Sequence, residues 1–321
     1  MSDSPPAISS LVFEDPYVRA VKTETVDGLE LRFPLFKAAA LPEIIRAVRT
    51  RAREVFASLT AAEIQEAMGR LDAHFADPDS PGLRAAVELI HRVDGFSEHD
   101  IKRFGLGIFR PIVEYDRALA GRFIERAFKT RRPVETAFGY LRRFGANSPF
   151  VRRREPGLLS HFASGNVAGY SAILTRIGLP FGGPGGGGGI GGGGAAQVIK
   201  LPSTSAVFPM LYLSKMAEVA PLVRATIACG YWKGGDAAIE DPLLAASSAV
   251  NVLGSEATVR DVEARAKRLG RRPIVLRHGH KVGAAYISRE FAASPALSDR
   301  VIDGLVRDIS AFDGADRRAH V

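Results

Sequence analysis

The 321-residue sequence contains a single cysteine, Cys229. One thiol cannot form an internal disulfide, and it cannot supply the several ligands of a cysteine-built zinc site. So little cysteine is typical of a reducing compartment. We therefore expect a cytoplasmic protein.

Long apolar runs are also missing. None approaches the roughly 18 residues needed to span a bilayer, and the amino terminus from Met1 to Pro6 has no basic region followed by an apolar core. We expect no membrane span and no secretory signal. A composition of 46% hydrophobic and 24% charged residues indicates a soluble globular protein, long enough for two domains.

The net charge of +8 could indicate a polyanionic partner, but the arginines are scattered along the chain. Short arginine clusters occur at several separate places, among them Arg131–Arg132, Arg152–Arg154 and Arg271–Arg272. A nucleic-acid partner needs a basic patch or stripe. We therefore expect no nucleic-acid partner.

Residues 1–150 are predicted to form a mainly helical region after a short extended start. Capping patterns at Thr60–Glu63, Ser80–Pro81 and Ser97–Asp100 mark helix starts. Apolar residues follow at helical spacing: Ile64, Met68, Leu71, Phe75, Val87 and Ile90, and later Ile112, Tyr115, Leu119, Phe123 and Ala127. No chemistry is evident here, because His74, His91 and His99 have no paired metal ligand at a spacing of three or four. The basic segment from Lys129 to Pro156 is the predicted boundary.

Residues 151–321 are predicted to form an α/β domain with a Rossmann-like parallel sheet. Apolar strands near 158–164, 196–201, 222–229, 248–253 and 273–277 alternate with helical patterns. Alternation of this kind predicts a parallel sheet covered on both faces.

Polar groups follow two of these strands. Lys200 and Ser203 end the second, with Ser203, Thr204 and Ser205 available to cap the next helix. Gly254 and Ser255 end the fourth, immediately before a helix. A helix amino terminus beside a small residue suits a pyrophosphate, and this layout predicts nucleotide binding.

The glycine tract at 182–194 is not a phosphate-binding fingerprint. Such a fingerprint follows a strand and opens a helix, whereas this tract follows a predicted helix and precedes a strand. We interpret it as a flexible low-complexity loop.

Four motifs in order resemble those of the LuxC-type acyl-CoA reductases, a branch of the aldehyde dehydrogenase superfamily. They are His161–Val167, Val198–Ser203, Tyr231–Asp236 and Gly254–Glu256. The resemblance covers Leu158 to Asp313 well and the first half loosely. It implies the NADPH-dependent reduction of a long-chain fatty acyl-CoA thioester to an aldehyde through an acyl-cysteine, as in the luminescence-type members of the family.

The resemblance also assigns roles to residues. Asn166 matches an amide that stabilises an oxyanion, and a plain turn asparagine is the alternative. Lys200 with Ser203 matches the group that holds the adenosine ribose, where a cation favours the 2′-phosphate of NADP(H); the alternative is an ordinary lysine at a strand end. Gly254 and Ser255 match a pair near the pyrophosphate, and the alternative is a helix cap.

Departures from the family pattern bear on activity. The segment Arg277–Lys281 lacks the glutamate base of aldehyde dehydrogenases, which fits a reaction that ends at the aldehyde. Arg317 falls where the family has its nucleophilic cysteine, and Cys229 is interpreted as structural. We therefore expect a cofactor-binding portion that is inactive by itself.

Two hypotheses remain. One is a reductase portion that meets an acyl-CoA or acyl-protein donor, as a homo-oligomer or with an acyl-transferring partner. The other is a catalytically inactive nucleotide-binding or interaction module.

Overall fold

The structure is a computed structural model that describes residues 10–59, 61–76, 80–98, 101–102, 134–136, 139–144, 148–153, 157–163, 175, 194–203, 205–270, 273–278, 288–289 and 302. The predicted helix containing Ile112 and Ala127, the residues Asn166 and Arg317, and most of the glycine tract lie outside these ranges.

The first elements of the described chain form a three-stranded sheet. Strands β1 (Ser10–Val12), β2 (Val21–Val26) and β3 (Leu29–Pro34) lie in the order β1-β3-β2. Asp27 and Gly28 both have positive φ, 48° and 74°, as a tight two-residue hairpin between β2 and β3 requires. The predicted extended start is therefore a small sheet.

Three helices follow: α1 (Leu41–Ser58), α2 (Ala61–Ala76) and α3 (Pro81–Asp94). The predicted cap at Ser80 is confirmed, because its Oγ accepts a hydrogen bond from Leu83 N at 3.4 Å. The apolar residues predicted for α2 and α3 are buried: Ile64, Met68, Leu71, Phe75, Val87 and Ile90.

The predicted boundary contains an antiparallel sheet of β4 (Val134–Thr136), β5 (Gly139–Phe144) and β6 (Ser148–Arg153). The sequence analysis did not predict these strands. Paired arginines interrupt the alternation of β5, and Pro149 lies inside β6, so neither strand has a clean period of two.

The remaining strands form one parallel sheet. They are β7 (Leu158–Phe162), β8 (Ala196–Lys200), β9 (Ile227–Gly230), β10 (Ala249–Leu253) and β11 (Ile274–His278), in the order β11-β10-β7-β8-β9. The chain moves outward from β7 to β9 and then returns to the other side of β7. This doubly wound order confirms the Rossmann-like α/β fold and places the switch point between β7 and β10.

Four helices of the described residues accompany this sheet: α4 (Val207–Val219), α5 (Pro221–Arg224), α6 (Ala237–Ala246) and α7 (Glu256–Arg268). Helix α1 packs on β8, β9 and α6, while α2 and α3 pack on α4. The amino-terminal helices therefore share one apolar core with the sheet.

Two local predictions about this region were wrong. The third strand does not begin at residue 222, because α5 occupies 221–224 with Pro221 at its first position, where proline suits a helix. The hydroxyl residues before α4 do not cap it: the N-cap position is Ala206, without a side-chain cap, and Ser205 has a φ of +62°.

The amino-terminal segment is bonded along the free edge of β9. Phe36 N donates to Tyr231 O at 3.0 Å, and Tyr231 N donates to Pro34 O at 2.8 Å. Nearer the amino terminus, Asp15 Oδ2 accepts hydrogen bonds from both Arg224 Nη2 and Cys229 N, each at 2.8 Å. The sheet edge is therefore covered by this chain itself.

Candidate functional site at the carboxyl edge of the parallel sheet

Lys200 is the last residue of β8, and its side chain is partly buried at the carboxyl edge of the sheet. Its Nζ lies 5.8 Å from the centroid of the Trp232 ring. No residue in the described ranges forms a hydrogen bond or ion pair with this ammonium. Burial lowers the pKa of Lys200, and the nearby Glu240 carboxylate opposes that shift.

Trp232 follows β9 and is 1% exposed. Its ring packs edge-on against Phe36 and Phe162, with centroid distances of 5.2 and 5.9 Å. Its Nε1 donates to Glu240 Oε1 at 3.1 Å. Because Phe162 ends β7, the indole lies over the ends of neighbouring strands and beside Lys200.

Glu240 lies in the first turn of α6 and is 3% exposed. Its Oε1 also accepts from Gly235 N at 3.0 Å, and its Oε2 accepts from Arg265 Nη1 at 2.5 Å. Arg265 further donates from Nε and Nη2 to Asp241 Oδ1, at 2.9 and 2.6 Å. A buried carboxylate is tolerated when it is paired in this way.

A layer of buried polar side chains crosses the centre of the sheet. His161 on β7 pairs in register with Asn251 on β10, directly across the switch point. His161 Nε2 lies 2.9 Å from Gln197 Oε1 on β8, and its Nδ1 lies 3.4 Å from Asn251 Nδ2. Parallel strands with both faces covered normally carry apolar residues here, so these three side chains must satisfy one another.

The hydrogen bonds determine the histidine tautomer. Gln197 Nε2 donates to Thr175 O at 2.8 Å, so Gln197 Oε1 faces His161 and accepts from a protonated Nε2. Nδ1 is then the acceptor for Asn251 Nδ2, and Asn251 Oδ1 is buried without a partner among the described residues. Burial lowers the pKa of His161 to about 4, so the ring is neutral.

Gly254 and Ser255 lie at the end of β10, on the other side of β7 from Lys200. Ser255 is the N-cap of α7, with its Oγ accepting from Thr258 N at 3.1 Å. A Cβ on Gly254 would lie 3.3 Å from Thr258 Cβ, which leaves little room for any side chain. Ser255 therefore caps the helix, which was the alternative role predicted for it. The amino end of α7 lies at the same edge of the sheet as Lys200.

Three further residues were singled out from the sequence: Ser203, Asn166 and Cys229. Ser203 is exposed in a bend three residues after Lys200, and Asn166 lies outside the described residues. Cys229 is fully buried inside β9, with its Sγ 4.0 Å from Met210 Sδ, and burial raises the pKa of its thiol. This environment is that of a structural cysteine.

The sequence analysis missed the Trp232–Glu240–Arg265 network. Trp232 and Arg265 are 33 positions apart and are linked through Glu240 because α6 and α7 pack side by side. The one available signal was Arg265 itself, a charged residue adjoining Ala266 within the apolar stripe of α7.

No group of three potential metal ligands occurs among the described side chains. None of the described helices is long and apolar enough to cross a membrane.

Comparisons with known proteins identify similar structures and a matching family. Among solved structures, this chain is similar to an NAD-dependent aldehyde dehydrogenase from Burkholderia multivorans, with 13% identity, a TM-score of 0.50, and coverage of 83% of this chain and 45% of that one. It is also similar to PnpE in complex with nicotinamide adenine dinucleotide, with 17% identity, a TM-score of 0.51, and coverage of 80% and 47%. The chain thus spans about half the length of these structures. No curated protein matches it.

At these identities the solved structures support the fold alone. The family model for acyl-CoA reductase (LuxC), by contrast, matches residues 134–316, more than half of the sequence. That range includes the parallel sheet, Lys200, Trp232 and the Gly254–Ser255 pair. The chain belongs to the LuxC acyl-CoA reductase family.

Proposed function

We propose that this chain is the NADPH-binding portion of a reductase that converts a long-chain fatty acyl-CoA to its aldehyde. The observation that carries the proposal is Lys200, a partly buried ammonium at the carboxyl edge of a doubly wound sheet with no ion-pair partner among the described residues. Burying a cation without a direct ion-pair partner is costly. An anionic ligand at this position would offset that cost.

The residues present fit a dinucleotide with a phosphate on its adenosine ribose. Lys200 and Ser203 follow β8, while Ser255 opens α7 on the far side of β7, so the two groups flank the edge where doubly wound sheets bind ligands. Lys200 would hold the 2′-phosphate, and the amino end of α7 with Gly254 and Ser255 would hold the pyrophosphate. One protein of similar fold, PnpE, was solved in complex with nicotinamide adenine dinucleotide, which supports this class of cofactor.

When bound, NADPH supplies the hydride that reduces the thioester carbon. Asn166, by family resemblance, would donate to the oxygen that becomes negative as the carbonyl is attacked. Cys229 is not the acyl acceptor, because its thiol is buried and its pKa is raised. The acyl group, delivered by an acyl-CoA or an acyl-protein donor, therefore needs a nucleophile other than Cys229.

A second candidate is a catalytically inactive nucleotide-binding or interaction module, acting in the cytoplasm as a homo-oligomer or beside an acyl-transferring partner. The inert environment of Cys229 favours it, because this buried thiol, with its raised pKa, is not suited to accept an acyl group. Consumption of NADPH in the presence of a long-chain acyl-CoA would exclude this alternative.

The cofactor assignment is tested by calorimetric titration of NADPH and NADH into the wild type and Lys200→Ala. Loss of one charged contact costs about 1.5 to 3 kcal/mol, so we expect NADPH affinity to fall by roughly tenfold to a hundredfold. NADH affinity should fall less, because it lacks the 2′-phosphate. Lys267→Ala is the matched control, since Lys267 is an exposed lysine at the opposite end of α7. Equal NADPH affinity in wild type and Lys200→Ala would refute the role of Lys200.

A further inference from the structure

We propose that Glu240 is a positioning residue for the Lys200 subsite: it fixes Trp232 and the turn before α6 against Lys200, and places a buried negative charge near the ammonium. This inference rests on the proposed role of Lys200 in holding the cofactor phosphate. Glu240 itself would not touch the cofactor.

The geometry shows what Glu240 holds in place. One oxygen accepts from both the Trp232 indole and Gly235 N, so it fixes a side chain and the backbone of the same short segment. Gly235 has a φ of +83°, a conformation that residues with side chains rarely adopt. The indole fixed in this way is the group that lies beside Lys200 Nζ.

Arg265 anchors the carboxylate from the other side. It bonds Glu240 Oε2 from α7, and it is 6% exposed. Glu240 is therefore the link between two helices and the Lys200 subsite. Its neighbour Asp241 bonds the same arginine, but the Trp232 indole donates its hydrogen bond to Glu240 and not to Asp241.

Glu240 also acts on Lys200 through its charge. Burial favours the neutral amine of Lys200, and the Glu240 carboxylate favours the ammonium, so the two effects on the pKa have opposite signs. The charged groups on the elements packed around this edge include Asp236, Asp241, Arg265 and Lys233. Among the described groups, Glu240 is the charge that raises the pKa of Lys200. A lysine binds phosphate through its protonated ammonium. Removing the Glu240 carboxylate should therefore lower the pH at which Lys200 loses its proton and phosphate binding is lost.

The test is the pH dependence of NADPH affinity, measured by calorimetry between about pH 7 and pH 10.5, the latter near the ordinary lysine pKa. Binding that depends on protonated Lys200 is present at low pH and is lost as pH rises through the Lys200 pKa. In Glu240→Gln, whose amide oxygen can still accept from Trp232 and Gly235, we expect the midpoint of this loss to move to lower pH. In Asp241→Asn we expect the wild-type midpoint. A purely structural role would lower affinity equally at every pH.

The outcomes separate this inference from the proposed function. If Lys200→Ala binds NADPH as tightly as the wild type, the proposed function fails. If Lys200→Ala is impaired while Glu240→Gln keeps the wild-type midpoint, the role of Glu240 is refuted and the proposed function stands. Should Glu240→Gln not fold, the double variant Glu240→Gln/Arg265→Gln removes both members of the buried pair and leaves no unpaired arginine. The same downward shift is expected of it, and an unchanged midpoint would refute the inference.

Discussion

At the scale of single residues, His161 shows how burial determines chemistry. Its ring nitrogens face the neutral amides of Gln197 and Asn251, and no charged group among the described residues stabilises a proton on it. A histidine at a sheet centre could be a catalytic base or a buried structural group. The hydrogen bonds of both ring nitrogens favour the structural role.

Acidification should therefore destabilise the protein through His161. Its pKa falls from 6.5 to about 4 on folding. Between these pH values the unfolded chain binds a proton on His161 and the folded chain does not. The free energy of unfolding therefore decreases as pH falls from about 6.5 to about 4. This difference corresponds to about 3 kcal/mol. We expect urea unfolding to show that loss in the wild type and a smaller loss in His161→Gln. His91→Gln serves as control, because that histidine is only partly buried and bonds a local carbonyl. Parallel pH profiles for the wild type and His161→Gln would contradict this account.

At the scale of elements, the start of α7 combines two roles in Ser255. The hydroxyl caps the helix, and the proposed pyrophosphate contact needs the same end to remain electropositive. Aspartate and asparagine are both good N-cap residues. The two differ in charge, so substituting each of them for Ser255 distinguishes an effect on helix stability from an effect on anion binding.

We expect Ser255→Asp to fold as stably as the wild type and to bind NADPH at least tenfold more weakly, a change of about 1.4 kcal/mol. The new carboxylate would repel the pyrophosphate while still capping the helix. Ser255→Asn should keep both stability and affinity within about threefold of the wild type, equivalent to about 0.7 kcal/mol. Thermal melts and NADPH titrations measure the two quantities separately. If aspartate and asparagine bind NADPH equally well, the pyrophosphate does not lie at this helix end.

The elements were predictable from sequence where one local signal dominated. Continuous apolar runs located four of the five parallel strands, and Ser80–Pro81 located a helix start. The third strand was misplaced because Leu222 and Val223 are apolar residues in a short helix, a difference that periodicity cannot resolve over so few residues. The role of Glu240 could not be predicted at all, because its partners come from two separate segments, the turn before α6 and helix α7.

At the scale of the whole molecule, the amino-terminal sheet and the parallel sheet form one body. Their interiors belong to a single apolar core that includes Leu31, Val48 and Val198. The buried Asp15–Arg224 ion pair joins the two parts, with exposed fractions of 5% and 4%. Stability should therefore depend on contacts between segments more than 200 residues apart.

Asp15→Ala should destabilise the entire protein. The change leaves Arg224 buried with its bond to Ile227 O and removes an acceptor from Cys229 N. Breaking a buried pair from one side costs about 3 to 5 kcal/mol. Glu30→Ala, which breaks the exposed pair with Arg32, should cost less than about 1 kcal/mol. Urea unfolding followed by circular dichroism measures both, and similar midpoints for the two variants would show that the link is dispensable.

Trp232 has an optical consequence, because it is the only tryptophan in the sequence. All indole fluorescence of this protein originates beside Lys200, and tyrosine contributes at shorter wavelengths. A reduced nicotinamide cofactor absorbs where indole emits, so its arrival should quench the tryptophan and sensitise its own blue emission. The protein thus contains a natural donor fluorophore, and occupancy of this edge of the sheet can be followed without attaching a dye.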